Sequence, residues 1–140
     1  MEQDGSVNEN QWAKTFRDLL VWKKSIDLVT NIYKLTSAFP QHEWLGVISQ
    51  MRRASVSIPS NIAEGFGRKS KLDLIRFCQI SMGSLFELQT QLIISRNLGY
   101  LKDPDFDGAI ESSREIERML SSFVMSLKGK QSSGGAGNHR

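Results

Sequence analysis

Cysteine is almost missing from this chain: Cys78 stands alone among 140 residues. No disulfide can form within it, and a reducing compartment, the cytosol, is the expected setting. Histidine is nearly as scarce, with only His42 and His139. Acid–base and nucleophilic catalysis usually recruit histidine, or a cysteine with a base nearby. His139 lies near the chain end, His42 before the second apolar segment, and Cys78 on an apolar stripe where burial suppresses the thiolate. No catalytic centre is expected. The Glu-x-x-His pairs of carboxylate-bridged metal bundles are missing, as are a P-loop, a recognition-helix motif, an RRM signature and a zinc knuckle. Neither metal nor cofactor is expected. Apolar stretches are broken by charges within about a dozen residues, short of the roughly 20 that span a bilayer. The opening MEQDGSVNENQ has neither the basic start nor the apolar run of a signal peptide. The expectation is a cytoplasmic protein with no membrane partner.

What is present describes one all-helical domain. The hydrophobic set makes up 39% of the chain, and 140 residues suffice for a core without staples. Four segments carry apolar residues at helical spacing, and none alternates with period 2. In the first, Leu19, Trp22, Ile26, Val29 and Tyr33 form the stripe, Thr15 and Asp18 offer a capping pair and Pro40 follows its end, which predicts a helix over about 16–38. Ile48, Met51, Ser55, Ile58 and Ile62 predict a second over about 43–65, kinked at Pro59 because proline cannot donate to the Ser55 carbonyl. Ser70 caps the third, about 70–97, with Ile75, Cys78, Met82, Leu85 and Leu92 inward and Asn97 and Gly99 as the stop. Asp103-Pro104-Asp105 starts the fourth, whose Ala109, Ser113, Ile116, Leu120, Phe123 and Leu127 carry it to about Lys128.

Long helices with short connections favour antiparallel neighbours, so the expected fold is an up-down-up-down antiparallel four-helix bundle over residues 12–128. Residues 1–11 and the Gly/Ser-rich 129–140 read as disordered tails. The apolar stripes, with Trp12, Phe16, Trp22, Phe39, Trp44 and Phe66, exceed what four helices bury, which leaves surface for self-association.

Charge is unevenly spread. The net charge is +3, yet residues 12–139 hold 17 bases against 12 acids. Lys23 and Lys24 lie on the first helix, Arg52 and Arg53 on the second, and Arg76 on the third. Arg68, Lys69 and Lys71 crowd the Gly65–Lys71 turn. Free amides at a helix start attract anions, so these eight residues are the candidate nucleic-acid contacts, against the plain alternative of a solvated helix face. Glu64 and Glu87 are the acids nearest core positions, and an ion pair to Arg52, Arg53 or Arg76 across the bundle is expected of them.

Three runs carry a family resemblance: Phe16 to Trp22 (FRDLLVW), Ser49 to Gly65 (SQMRRASVSIPSNIAEG), and Gly83 to Leu92 (GSLFELQTQL) followed by Leu98-Gly-Tyr-Leu101. The chain resembles the bacterial four-helix-bundle proteins encoded in 23S rRNA intervening sequences. The family motifs fall on Gln50, Arg52, Arg53, Ser57, Pro59, Asn61, Glu64 and Gly65, and on Gly83, Ser84, Glu87 and Gln91. Asn61, Glu64 and Glu87 are thereby candidates for a structural polar motif. Val47 to Ser49 departs from the Gly-Leu frequent in the family. The resemblance implies a homo-oligomeric ring, typically a pentamer, with no established enzymatic activity. It also implies a fold similar to the accessory variability protein of diversity-generating retroelements, a basic pentamer that binds nucleic acid and a reverse transcriptase. RNA or DNA binding, with a reverse transcriptase or another protein as partner, is the leading expectation. A protein-scaffolding homo-oligomer without a nucleic-acid role is the alternative.

Overall fold

Thr15 and Asp18 cap each other: the Thr15 hydroxyl accepts from the Arg17 amide at 3.1 Å, and the Asp18 carboxylate accepts from the Thr15 amide at 3.2 Å. The computed structural model describes residues 15–135, and their side chains as far as Gly129. In it the cap closes a single turn, Phe16–Asp18, because Leu19 is extended (φ −77°, ψ 125°) and redirects the chain. The first long helix, α1, is Leu20–Thr36, shorter at both ends than the sequence suggested. Three more follow: α2 (Ser49–Gly67), α3 (Lys71–Asn97) and α4 (Asp103–Gly135), with no strand among the described residues. The expected tail over 1–11 lies outside those residues. α4 continues past Lys128 to Gly135, since no proline interrupts the backbone bonds there.

The connection before α2 is more irregular than a simple helix start. Gln41–Glu43 makes a tight turn and Trp44–Ile48 a wide one, in which Gly46 leaves helical backbone (φ −105°, ψ −119°). Regular helix begins only at Ser49. Ser70 caps α3 by accepting from the Asp73 amide at 3.2 Å, and Gly99 (φ +82°) ends it, with the Tyr100 amide returning to the Ser95 carbonyl at 2.9 Å.

Each helix packs against two others, α1 on α2 and α4, and α3 on α2 and α4. The core between them is aliphatic. Leu28, Ile32, Met51, Ile58, Ile62, Leu85, Leu88, Leu92, Ile116 and Leu120 are fully buried, and each contributes about 1.5–3 kcal/mol by leaving water. Cys78 lies in this core, and burial pushes its thiol up to about 12.

The stripes expected for α2, α3 and α4 are inward, but that of α1 is rotated. Val21, Ser25, Leu28, Ile32 and Thr36 face the core, while Leu20, Ile26 and Tyr33 are exposed. Two buried hydroxyls hide the true stripe. Each is satisfied locally, Ser25 donating to the Trp22 carbonyl at 2.7 Å and Thr36 to that of Ile32 at 2.8 Å.

α2 and α3 approach most closely. Ser81 donates to the Ile58 carbonyl at 2.8 Å, and the Ser95 hydroxyl meets Met51 Sδ at 3.4 Å. Gly65 permits the approach, since a Cβ there would lie 3.0 Å from Phe77 Cβ and 3.3 Å from Leu74 Cα.

Candidate functional site

Helical spacing brings two polar rows face to face. Gln50, Arg53 and Ser57 line one side of α2, and Ser84, Glu87 and Gln91 line one side of α3. Between them runs a groove of about 390 Å³. Its floor is pinned by the hydroxyls of Ser57 and Ser84, 2.7 Å apart, and by Asn61, whose Nδ2 donates to Ser57 Oγ at 2.9 Å and to the Ser57 carbonyl at 2.8 Å. Gln91 is only 8% exposed, yet its Oε1 accepts no hydrogen bond among the described residues. Arg53 and Glu87 are exposed on the rims, and neither forms an ion pair among the described residues.

A second groove, about 640 Å³, lies on the other side of Arg53 and Ser57 and is lined by Tyr33, Trp44, Arg52 and Val56. Arg52 is built into the fold here. Its Nε donates to Thr36 Oγ1 at 2.9 Å and its Nη2 to the Tyr33 carbonyl at 3.3 Å. The guanidinium also sits 4.4 Å from the Tyr33 ring centre and 5.3 Å from that of Trp44. The neighbouring wide turn is held by Glu43. That carboxylate accepts from the Tyr100 hydroxyl at 2.7 Å and from the Val47 amide at 3.4 Å, which hold its pKa below the ordinary value, helped by nearby His42. The same bond raises the Tyr100 phenol.

At the far end of α2 the basic turn is largely satisfied from within. Arg68 pairs with Glu64 at 3.1 Å and Arg76 with Asp73 at 3.4 Å. Both guanidiniums flank Phe77, 5.1 and 4.8 Å from its ring centre. Ser70 occupies one amide of the α3 start. Lys69, in left-handed backbone (φ +60°), and Lys71 are exposed without a carboxylate partner among the described residues. Lys23 is likewise open on α1, whereas Lys24 pairs with Glu115 of α4 at 3.3 Å.

The eight expected contacts therefore do not form one patch. Arg53 and Arg68 are roughly 22 Å apart along α2 at about 1.5 Å per residue. The ion pairs expected across the bundle for Glu64 and Glu87 are corrected: both face solvent, and Glu64 finds its partner four residues on, in the Arg68 that caps its own helix. Sequence reasoning missed the Glu43–Tyr100 bond, which joins positions 57 residues apart and leaves no local signal. It also missed the orphaned Gln91 acceptor, whose burial depends on how α2 crosses α3.

The family model described as 23S rRNA-intervening sequence protein matches residues 17–122. Among solved structures, the chain is similar to a protein of unknown function from the S23 ribosomal protein family of Bacteroides thetaiotaomicron. The two are 23% identical with a TM-score of 0.68, over 75% of this chain and 98% of that one. That likeness speaks for the fold alone. No curated protein matches the chain.

Proposed function

The chain belongs to the 23S rRNA-intervening sequence protein family, and from that premise we propose that it is a non-enzymatic, self-associating cytoplasmic protein that binds nucleic acid, RNA foremost. The observation that carries this reading is that, of the eight candidate cations, Arg53, Lys23, Lys69 and Lys71 have no carboxylate partner among the described residues. A folded chain gains little from unpaired cations on its own account, and phosphate is the abundant polyanion that would pair them. Arg52, Arg68, Arg76 and Lys24 keep the surface positive while serving the fold. An RNA or DNA duty beside a ribonucleoprotein or reverse transcriptase is the setting in which such a surface works.

The reading includes an up-down-up-down antiparallel arrangement, bent at Pro59. The order of contacts supports the arrangement: Met51 meets Ser95 while Ile58 meets Ser81, and Gln89 meets Glu117 while Arg96 covers Phe106. Along both pairs, residue numbers rise on one helix as they fall on the next.

Salt titration tests the nucleic-acid function. If the three open lysines each neutralise a phosphate of single-stranded RNA, the logarithm of the binding constant should fall against that of salt with a slope of about −2 per chain. A flat dependence, or no binding at low salt, refutes it.

The second reading is a protein scaffold, a homo-oligomer with five copies as the family expectation. The exposed Trp44 (55%), Leu45 (87%) and Leu72 (63%) favour it, since apolar surface of this kind suits subunit contacts. Light scattering on a sizing column reads the copy number. Under this reading, reversing Arg53, Lys69 and Lys71 to glutamate leaves co-purifying partners unchanged, and nuclease does not release them.

A further inference from the structure

We propose that the groove between α2 and α3 is a recognition pocket for an unpaired guanine base. The proposal rests on the nucleic-acid reading above and gives it a base preference. Three residues without a side-chain partner among the described residues line the same groove: Gln91, whose buried Oε1 accepts no hydrogen bond, and the exposed Arg53 and Glu87. A buried acceptor left unpaired is unfavourable, and native chains rarely keep one unless something from outside supplies the donor. An occupant that brings N–H groups to the Gln91 side of the groove would supply that donor in place of water.

The rims narrow the choice further. A carboxylate wants adjacent donors, and a guanidinium wants acceptors. Guanine carries both sets: N1–H and the 2-amino group on one edge for Glu87 and Gln91, and O6 and N7 on the next for Arg53. Adenine and cytosine offer a carboxylate one amino group beside an acceptor that repels it. Uracil places its single N–H between two carbonyls. At about 390 Å³ the groove has room for a base but not for a duplex, so the guanine must be unstacked, as in a loop or bulge. The Ser57–Ser84 hydroxyl pair, fixed by Asn61, keeps the floor polar.

The experiment uses the full chain and RNA hairpins that differ only in one loop base, together with the free mononucleotides GMP, IMP, AMP, CMP and UMP, by titration calorimetry. The guanine loop should bind about tenfold more tightly than the other loops, and inosine, which lacks the 2-amino group, should lose that advantage. Glu87→Gln should abolish the preference. Because this exposed substitution removes a negative charge, polyuridine should bind the variant as tightly as before or more so. A merely electrostatic role for Glu87 would instead tighten every RNA alike and overturn the pocket. Equal affinity for all four loops also overturns it, while salt-dependent RNA binding would leave the broader reading standing. If GMP binds and no RNA does at any salt, guanine recognition holds for the free nucleotide and the nucleic-acid reading fails.

Discussion

At its first turns α2 carries Arg53 with no ion pair among the described residues, whereas at its last turn Glu64 holds Arg68 at 3.1 Å and, across the connection, Asp73 holds Arg76 at 3.4 Å. The connection end is tightly closed. Gly65 seats α2 against Phe77 and Leu74, and the two guanidiniums cover the Phe77 ring. The groove end is open, with an acceptor, a carboxylate and a guanidinium around one cavity that find no partner among the described residues. Equal formal charge thus has unequal meaning. Cations whose partners lie within the chain serve the fold, and those without partners are available to something else.

The comparison is broken most forcefully at the closed end. Gly65→Val should cost about 2–3 kcal/mol, because the added groups meet backbone and Cβ atoms that cannot yield. Gly67→Ala, with open space around it, should be neutral or slightly stabilising by comparison. Urea unfolding of both variants checks the contrast, and similar losses would mean that the connection end is not close-packed.

Adjacent arginines sharpen the contrast next. Arg52→Ala should lose about 1–2 kcal/mol of stability, since it removes bonds to Thr36 and Tyr33 that join α2 to α1. Arg53→Ala should change stability by less than about 0.5 kcal/mol but weaken binding of a guanine-loop RNA about tenfold. Thermal unfolding beside RNA titration separates the two, and the reverse pattern would refute the division between structural and available cations.

Lys69→Gly should raise stability by about 0.5–1 kcal/mol, because a lysine in left-handed backbone crowds its own Cβ. No gain in chemical unfolding would mean that its side chain supports the turn.

The smallest effect is a pH dependence. The folded Glu43 carboxyl titrates below its ordinary 4.5, first because of the Tyr100 hydroxyl. Its contribution is complete above that ordinary value and is lost as pH falls through the lower folded value. Tyr100→Phe should therefore move the Glu43 titration upward and flatten the acid limb of stability, as followed by carboxyl-resolved NMR and acid unfolding.

Much of the architecture was legible because apolar spacing and end signals agree. Ser70 caps α3, Gly99 stops it, and Ile48, Met51, Ser55, Ile58 and Ile62 are buried as their period requires. α1 misleads because Ser25 and Thr36 take core positions and satisfy their hydroxyls on their own helix, while Ile26 and Tyr33 face outward. Composition ranks those residues the other way. The candidate site was legible as residue types and illegible as pairings. Glu64 and Glu87 share a helical period with inward residues, but a rotation of part of a turn puts them in solvent. Arg52 and Arg53 cannot be told apart by type, and only the position of the α1 end decides which one is bound.

Cys78 gives the molecule a built-in stopwatch. A thiol that needs a pH near 12 to ionise and lies wholly inside the core reacts with an alkylating reagent only when the helices part, so its modification rate measures how often they breathe. Nor can two closed copies be welded through it, because a disulfide between them would need the buried sulfur at the surface.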